Sequence, residues 1–451
     1  MGVSLTRTPG TPTSKKKFTF SFWYKKTTVR DYGASTSDGC FFNSAASNDN
    51  RLTFMINQEN SPYDQVRLVG RNSGSQILDL RTNAILRDPS AWYHIVAKVD
   101  TTQSTNTNRA KLYINGTEQT LDTSSYPNQD VELEIHHTPY LLSYSGSGNY
   151  VEGLITHYHY TDGYAYDAST FGETDSTSGI WKPKTAPSVT YGTNGFFLKF
   201  ENSGAMGTDS SGNSNTFTVN GSLTQNVDTP SNNFITMNPL DNYYPGFTFS
   251  NGNTTLASGN NYSYPQATIY VNKGKWYWEV KAVSKSSGAD EFMIGIQGKS
   301  ATGTNSPAQA NNGITYYKDG DTYGFGGGAT SYGNSYTVGD IIGVALDCDN
   351  NKLYFSKNGT YQNSGVPTSG STGTGALAIT DPNDVPQGGY SPVGGAYTSV
   401  SHTLSFNFGS GFFGTTAVAS ANADSAGLGA FEYSVPSGYY SLCTKNIKDY
   451  G

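Results

Sequence analysis

The sequence predicts an all-β protein with two antiparallel β-sandwiches in series, joined by an ordered β-rich connector. Charged residues make up 14% of the chain while glycine occurs 52 times, a composition typical of short strands joined by polar turns. No long helical periodicity is present. At 451 residues the chain is too long for one sandwich and has the right length for two.

Charge and composition argue against several classes of function. The formal net charge of −7 and the lack of a basic stripe disfavour binding to nucleic acid. Cys40, Cys348 and Cys443 lie far apart without metal-binding spacing, so they are expected to be small core residues. Residues 1–16 form a polar leader without the apolar core of a signal peptide, and no apolar run has membrane-spanning length. We therefore expect no membrane insertion.

Strand patterns fill the first half of the chain. Residues 18–27 (FTFSFWYKKT) alternate aromatic and polar side chains, and residues 92–100 (WYHIVAKVD) and 111–118 (KLYINGTE) form a predicted hairpin whose second strand ends on an Asn115-Gly116 turn. Together with YVEGLITHYHYTDGYAYDASTFG, this set resembles the concanavalin A-like lectin/glucanase fold in its laminin-G-like version. The resemblance implies a sandwich over residues 17–175.

The second half begins with three consecutive strand patterns, GKWYWEV, EFMIGIQG and VGDIIGVALDCDNNKLYFSKNGTYQNSG. The last is a hairpin: residues 341–346 form one strand, residues 353–355 return, and Asn358-Gly359 closes another tight turn. In order and spacing these segments resemble the SPRY (B30.2) domain, as do HTLSFNFGSGFF and VPSGYYSLCTKN further on. The resemblance implies that residues 263–451 form a sandwich that binds partners through its loops and has no catalytic centre of its own.

Residues 176–262 are the predicted connector, in which GFFLKFEN and NTFTVNG are strand patterns between turn residues. The run YGTNGFFLKF…GTDSSGNSNTFTVN…DTPSNNFITMNPL resembles a segment of virion structural proteins of tailed bacteriophages, and the leader SLTRTP…KKKFTFSFWYKK resembles their start. The resemblance implies a tail-fibre, receptor-binding or capsid-fibre protein of the virion, assembled in the bacterial cytoplasm. Its implied partners are other tail or capsid proteins, a host-surface glycan or protein, and further copies in a homotrimer, although no heptad pattern is present.

Four tyrosines of the second sandwich are candidate ligand-binding residues. The stretch YGFGGGATSYG is glycine-rich but lacks the Lys-Ser/Thr of a phosphate-binding loop and precedes no helix, so a nucleotide site is not predicted. In SPRY relatives such a loop shapes the binding face, and aromatic rings there suit glycan or protein recognition. The alternative is that half of these rings point into the core. The alternation of side chains along a strand does not show which ones do. The four are Tyr316, Tyr317, Tyr323 and Tyr332.

A polysaccharide-degrading, tailspike-like glycosidase is the alternative from another class, because the concanavalin A-like fold also hosts glucanases. Such an enzyme needs two carboxylates in one groove, about 5 Å apart for retention or further apart for inversion. The E-x-D-x-x-E strand of these enzymes is missing, and the nearest approximation is Glu132 and Glu134 on one face of a predicted strand at 131–135. Charged residues that alternate along the solvated face of a strand explain this pair equally well. We therefore expect no catalytic residues and a non-enzymatic protein.

Four histidines have the chemistry of metal ligands. His136 and His137 are followed by His157 and His159, and the second pair lies at a spacing of two on a predicted strand. No cysteine or carboxylate completes this set at a recognisable spacing. We therefore expect strand histidines here, satisfied or exposed, and assign no metal ligands.

A structural Ca²⁺ is a further implication of the laminin-G-like resemblance, since such domains often hold one on a rim through Asp and Asn oxygens. Candidates are Asp100, Asp162 and Asp167, but aspartate is also typical of turns. No ligand set is assigned, and no cofactor is expected.

These observations together predict a structural and adhesive component of a phage virion that binds and does not catalyse. Within the same class, a capsid decoration or head-fibre protein is the alternative to a tail fibre. A host intracellular SPRY adaptor is disfavoured by the connector, which resembles that of phage proteins.

Overall fold

Segments that alternate apolar and polar residues form mostly antiparallel strands throughout the described part of the chain, and the all-β prediction is confirmed. The structure is a computed structural model that describes residues 2–27, 39–57, 61–146, 148–176, 179–240, 247–258, 264–285, 292–298, 313–324, 328–396 and 401–451. The chain divides into two units, Met1–Gln225 and Asn226–Gly451. The predicted connector is divided between these two units.

The first unit is a sandwich of two large sheets. Its strands are β1 (Ser4–Thr6), β2 (Lys17–Lys26), β3 (Gly39–Ser47), β4 (Asn50–Asn57), β5 (Gln65–Asn72), β6 (Ser75–Ile85), β7 (Trp92–Asp100), β8 (Ala110–Ile114), β9 (Thr117–Glu118), β10 (Leu121–Ser125), β11 (Pro139–Leu141), β12 (Gly153–Asp162), β13 (Gly172–Thr174), β14 (Trp181–Pro183), β15 (Phe196–Leu198) and β16 (Thr218–Asn220). One sheet has the order β10-β6-β5-β4-β3-β11-β1-β16, and the other has the order β15-β12-β2-β7-β8-β9. Strands β13 and β14 pair separately.

An aromatic core fills the space between these two sheets. Phe20 and Phe22 of β2 contact Phe54 of β4 in the opposite sheet, with ring centroids 5.9 Å and 5.5 Å apart. All three side chains are fully buried. Burying one such side chain stabilises a fold by about 1.5–3 kcal/mol, so this layer contributes much of the stability of the first unit.

The polar leader is built into the first sandwich. Leu5 is fully buried, and β1 pairs with β11 on one side and with β16, from the predicted connector, on the other. The guanidinium of Arg7 donates hydrogen bonds to Asn194 and Asn215 of the same connector segment. Leader and connector therefore extend the eight-stranded sheet together.

The second unit is also a sandwich. Its strands are β17 (Phe247–Ser250), β18 (Thr255–Ser258), β19 (Lys275–Lys285), β20 (Phe292–Gln297), β21 (Gly313–Tyr317), β22 (Asp321–Gly324), β23 (Thr330–Ser331), β24 (Ile341–Asp347), β25 (Lys352–Lys357), β26 (Thr360–Tyr361), β27 (Leu377–Ala378), β28 (Ser391–Ala396), β29 (His402–Asn407), β30 (Phe412–Phe413), β31 (Thr416–Ala417) and β32 (Tyr440–Ser441), and the chain ends with α1 (Thr444–Tyr450). One sheet has the order β17-β18-β29-β19-β24-β25-β26, with β27 beside β25 and β32 parallel to β19. The other has the order β23-β22-β21-β20-β28, and β30 pairs with β31.

The core of the second unit joins these two sheets. Trp276 and Trp278 of β19 belong to the same buried cluster as Phe292 and Ile294 of β20. These residues recur at every second position, which places them on the inner faces of their strands. Within the described residues, no helix has the length and apolarity to cross a bilayer.

The two predicted Asn-Gly turns are confirmed. Asn115 and Gly116 have φ values of 49° and 80°, and Asn358 and Gly359 have values of 48° and 81°. A two-residue hairpin turn with positive φ at both positions matches the twist of the flanking strands, and Asn-Gly adopts it at low cost. These turns fix the register of β8 with β9 and of β25 with β26.

Candidate functional site

Two of the four candidate tyrosines lie in the core of the second unit. Tyr316 on β21 packs against Tyr336 and Phe355, with ring centroids 5.2 Å and 5.3 Å apart, and is fully buried. Tyr332 is also buried, and this burial raises the pKa of its hydroxyl to about 12. Both rings therefore pack within the core, and neither presents a face to a ligand.

The other two candidates, Tyr317 and Tyr323, lie on the opposite face of the same sheet. Successive residues of a strand point to opposite faces, so Tyr317 faces away from the core that holds Tyr316. Its ring meets the ring of Tyr323 edge-on, with centroids 5.2 Å apart. Tyr317 is buried, whereas Tyr323 is half-buried and keeps contact with solvent. They belong to an apolar group, the outer tyrosine cluster, whose other members are Tyr264, Met293 and Val393.

The segment 131–135 is irregular and does not form the predicted strand. Leu133 and Ile135 are buried in the core of the first unit, so the alternating Glu132 and Glu134 project outward. Glu132 is 61% exposed at its side chain and forms an ion pair with Lys15 at 3.6 Å. Glu134 instead contacts two histidines. The two carboxyl groups thus have separate partners, unlike an acid and base that share one groove.

Glu134, His136 and His137 form a compact group, which we call the His-Glu cluster. Nε2 of His137 lies 2.7 Å from Oε2 of Glu134, and Nδ1 of His136 lies 3.7 Å from the same oxygen. The two imidazole centroids are 4.0 Å apart. Partial burial, with the neighbouring His137 and Lys15, lowers the pKa of His136 and favours its neutral form. The three side chains offer two nitrogens and one oxygen as ligand atoms, all within 4.8 Å of one another.

His157 and His159 do not join this cluster. Both lie on β12 against Phe197, with ring centroids 6.0 Å and 3.8 Å from it. Nδ1 of His159 lies 2.9 Å from the hydroxyl of Tyr191. Burial holds the pKa of His159 well below its ordinary value, so this imidazole is neutral. His157 and His159 are therefore strand histidines with their own partners, as expected from the sequence. His136 and His137 instead lie beside a carboxylate, Glu134, which sequence reasoning did not find.

The three candidate Ca²⁺ ligands are each used by internal donors. Those donors are Thr102 and Gln103 for Asp100, the N–H groups of Thr13, Ser14 and Asn194 for Asp162, and Lys98 and Tyr113 for Asp167. Over the described part of the chain, these aspartates do not come together as a group of ligand atoms. Ca²⁺ binding stays a prediction without a ligand set.

A buried Ser-His pair was not anticipated from the sequence. Ser21 Oγ lies 2.8 Å from Nε2 of His94, and the indole N–H of Trp181 donates to Nδ1 at 3.0 Å. Indole is only a donor, so Nε2 carries the ring proton and donates to Ser21, which is the wrong direction for a general base. Burial lowers the pKa of His94 to about 3, and both Ser21 and His94 are sealed from solvent. The pair is therefore structural.

A buried carboxyl group, Glu279 of β19, holds the C-terminal segment of the second unit. Its oxygens accept hydrogen bonds from the N–H groups of Glu432 and Tyr433, both at 2.9 Å. The Tyr277 hydroxyl and the Asn407 amide also donate to it, at 3.1 Å and 3.3 Å. Burial raises the pKa of Glu279 to about 7, even though these hydrogen bonds favour the ionised form.

Two family models match separate parts of the chain. The concanavalin A-like lectin/glucanases superfamily matches residues 2–163, and the SPRY domain matches residues 275–380. The chain therefore contains a concanavalin A-like domain in its first unit and a SPRY domain in its second. Both resemblances to these folds are confirmed. Domains of these two types are typically non-catalytic binding modules.

Individual relatives share short parts of the chain. Ran-binding protein 9 and Ran-binding protein 10 of Danio rerio are 33% and 34% identical to it over 88 residues, which are 19% of this chain and 14% of each relative. The chain thus matches a small part of these proteins. The crystal structure of the SPRY domain of human HERC1 has 19% sequence identity and a TM-score of 0.30, covering 38% of this chain and 96% of that chain.

Proposed function

We propose that this chain is a non-enzymatic adhesive component of a tailed-phage virion. Its two sandwiches would bind a host-surface glycan or protein and a neighbouring virion protein. The observation that supports binding most strongly is the presence of two domains of binding type, concanavalin A-like and SPRY, on one chain. The connector and leader, through the resemblance described above, support the virion context.

The positions of the acidic residues support binding without bond cleavage. A glycosidase needs one carboxyl group with a raised pKa beside a second carboxylate at an accessible groove. Among the described residues, the carboxyl whose pKa is raised towards neutrality is Glu279, and it is fully buried and held by four donors. Glu132 and Glu134 lie at the surface with separate partners.

The outer tyrosine cluster is the surface that we propose for ligand contact in the second unit. Tyr323 is half-buried there, and a ring supported edge-on by Tyr317 offers a rigid apolar face. Several such faces in a homotrimer would turn weak single contacts into firm attachment. The similarity to the Ran-binding proteins supports a protein ligand for this unit as an alternative to a glycan.

Binding is tested with the purified full chain on immobilised bacterial lipopolysaccharides and capsular polysaccharides and on intact bacterial cells. We expect saturable retention on a subset of strains. Protease treatment of the cells distinguishes a protein receptor from a glycan. Lack of retention on every surface would overturn the adhesive function.

The virion context is tested by immunogold electron microscopy. An antibody against the chain is applied to particles of the phage that encodes it. Label on tail appendages is the expected result, and label on capsids would favour a decoration or head-fibre protein. Particles without label would contradict both.

A further inference from the structure

The His-Glu cluster of the first unit has the composition of a transition-metal site. Two imidazoles and one carboxylate are a ligand set that zinc sites use when one coordination position is left open. We infer that Glu134, His136 and His137 bind a divalent ion of the zinc class, with water in the remaining position. This site is independent of the adhesive function proposed above.

The spacing of the ligand atoms fits such an ion after small adjustments. In a tetrahedral site with bonds of about 2.0–2.1 Å, ligand atoms lie about 3.3 Å apart. Here Oε2 of Glu134 lies 2.7 Å from His137 Nε2 and 3.7 Å from His136 Nδ1. One distance is shorter and the other longer than required, so the half-buried side chains would bind the ion after small rotations about their χ angles. The ion would replace the proton that His137 and Glu134 share.

An unsatisfied nitrogen points to a missing partner in the cluster. Nδ1 of His136 is screened from solvent and has no hydrogen-bond partner among the described residues. Its distance of 3.7 Å to Glu134 is too long for a hydrogen bond. A buried polar atom without a partner is costly, and a metal ion between His136 and Glu134 would satisfy it.

The backbone beneath the cluster is held in place, as a preformed site requires. The N–H group of Leu133 donates to the carbonyl of Lys15 at 3.0 Å, and the N–H group of His137 donates to Oγ of Ser44 at 3.0 Å. Leu133 and Ile135 are anchored in the core on either side of Glu134. The sandwich therefore fixes the segment at both ends and leaves the three polar side chains on its outer side.

Nearby charges do not oppose a cation strongly. Lys15 is the adjacent cation, and it forms an ion pair with Glu132. Arg7 lines a small pocket together with His137, and its guanidinium is occupied by Asn194 and Asn215. The charge of Lys15 is thus balanced by Glu132, and the carboxylate of Glu134 favours a divalent cation over an anion at the ligand atoms.

The test is titration of the untagged full chain, freed of metal with a chelator, with zinc chloride in an isothermal calorimeter. We expect one saturable site per chain and a rise in Tm with added zinc, since an ion that binds the folded state alone stabilises it. Glu134→Gln and His136→Ala should each weaken binding at least about tenfold. Glu132→Gln removes the same charge two residues away and should bind as the wild type does.

Loss of the fold in a variant is checked by circular dichroism, and the wild-type chain provides a second measurement. Cobalt(II) should give the visible absorption of a histidine-ligated, low-coordinate ion, and zinc should displace it. Absence of saturable zinc binding in the wild type would overturn the site. Equal zinc affinity of the wild type and Glu134→Gln would do the same, as would a cobalt spectrum of the free aqueous ion.

Discussion

Replacing Glu279 with glutamine should change the stability of the second unit in a strongly pH-dependent way. Glutamine keeps the shape of the side chain but exchanges one acceptor oxygen for an NH₂ donor. The backbone N–H of Glu432 lies against one carboxyl oxygen and that of Tyr433 against the other. The new NH₂ group must therefore face one of these two N–H groups. Leaving such a buried donor without its acceptor costs about 1–3 kcal/mol.

The pH dependence follows from the raised pKa of Glu279. Burial raises this pKa from 4.5 to about 7, so between these values the folded chain binds a proton that the unfolded chain has lost. Stability that comes from this group is therefore fully present below pH 4.5, falls as pH rises, and is lost above pH 7. At about 1.4 kcal/mol per pKa unit, the change over this window is about 3 kcal/mol. Glutamine does not titrate and shows no such loss.

The assay is urea unfolding at several pH values between 4.5 and 8, followed by tryptophan fluorescence. Trp276 and Trp278 lie on the same strand as Glu279 and report on its surroundings. Wild type and variant are compared at each pH, so contributions from other titrating groups cancel. The variant should be the less stable chain at the acid end and gain about 3 kcal/mol relative to the wild type by pH 8. A difference that stays constant across the range would refute the reasoning.

Three further predictions concern packing, a turn and ligand contact. Phe54→Ala should destabilise the first unit by about 3–5 kcal/mol in urea unfolding, because it opens a cavity between the two sheets; a loss below 1 kcal/mol would contradict the assignment of Phe54 to the core. Gly359→Ala should lower Tm more than Gly370→Ala, although both glycines have positive φ. At position 359 the new Cβ would lie 2.6 Å from the Tyr433 ring, whereas at position 370 it would lie in open space. Tyr323→Ala should weaken retention on receptive bacterial surfaces at a temperature at which the variant is still folded, and unchanged retention would remove the outer tyrosine cluster from the proposed binding surface.

Elements defined by local chemistry were predictable from the sequence. The alternation in residues 92–100 corresponds to β7 (Trp92–Asp100), and residues 341–346 lie within β24 (Ile341–Asp347). The Asn358-Gly359 turn was identifiable because its dipeptide alone favours the required backbone angles. Each of these signals lies within a few neighbouring residues.

The environments of individual side chains were less predictable, because they depend on which strands pair. Alternation shows that Tyr316 and Tyr317 face opposite ways, but the sheet order decides that Tyr316 is the inner one. The same limit applies to Ser21 and His94, which meet because β2 pairs with β7.

The His-Glu cluster was missed for a related reason. The segment 131–135 alternates as a strand does, and a strand would place His136 on the same face as Glu134 but His137 on the opposite face. The irregular path of this segment instead turns His136 and His137 towards Glu134. The signal that could have revealed it is the spacing Glu-x-His-His.

The central claim, that the chain binds and does not cleave, is tested most directly by incubating it with a polysaccharide that retains it. The chain length of the polysaccharide and the concentration of reducing ends are then measured over time, with the bound protein quantified in the same samples. The account predicts stable retention with unchanged chain length and no new reducing ends. Release of oligosaccharides in proportion to protein concentration would contradict it.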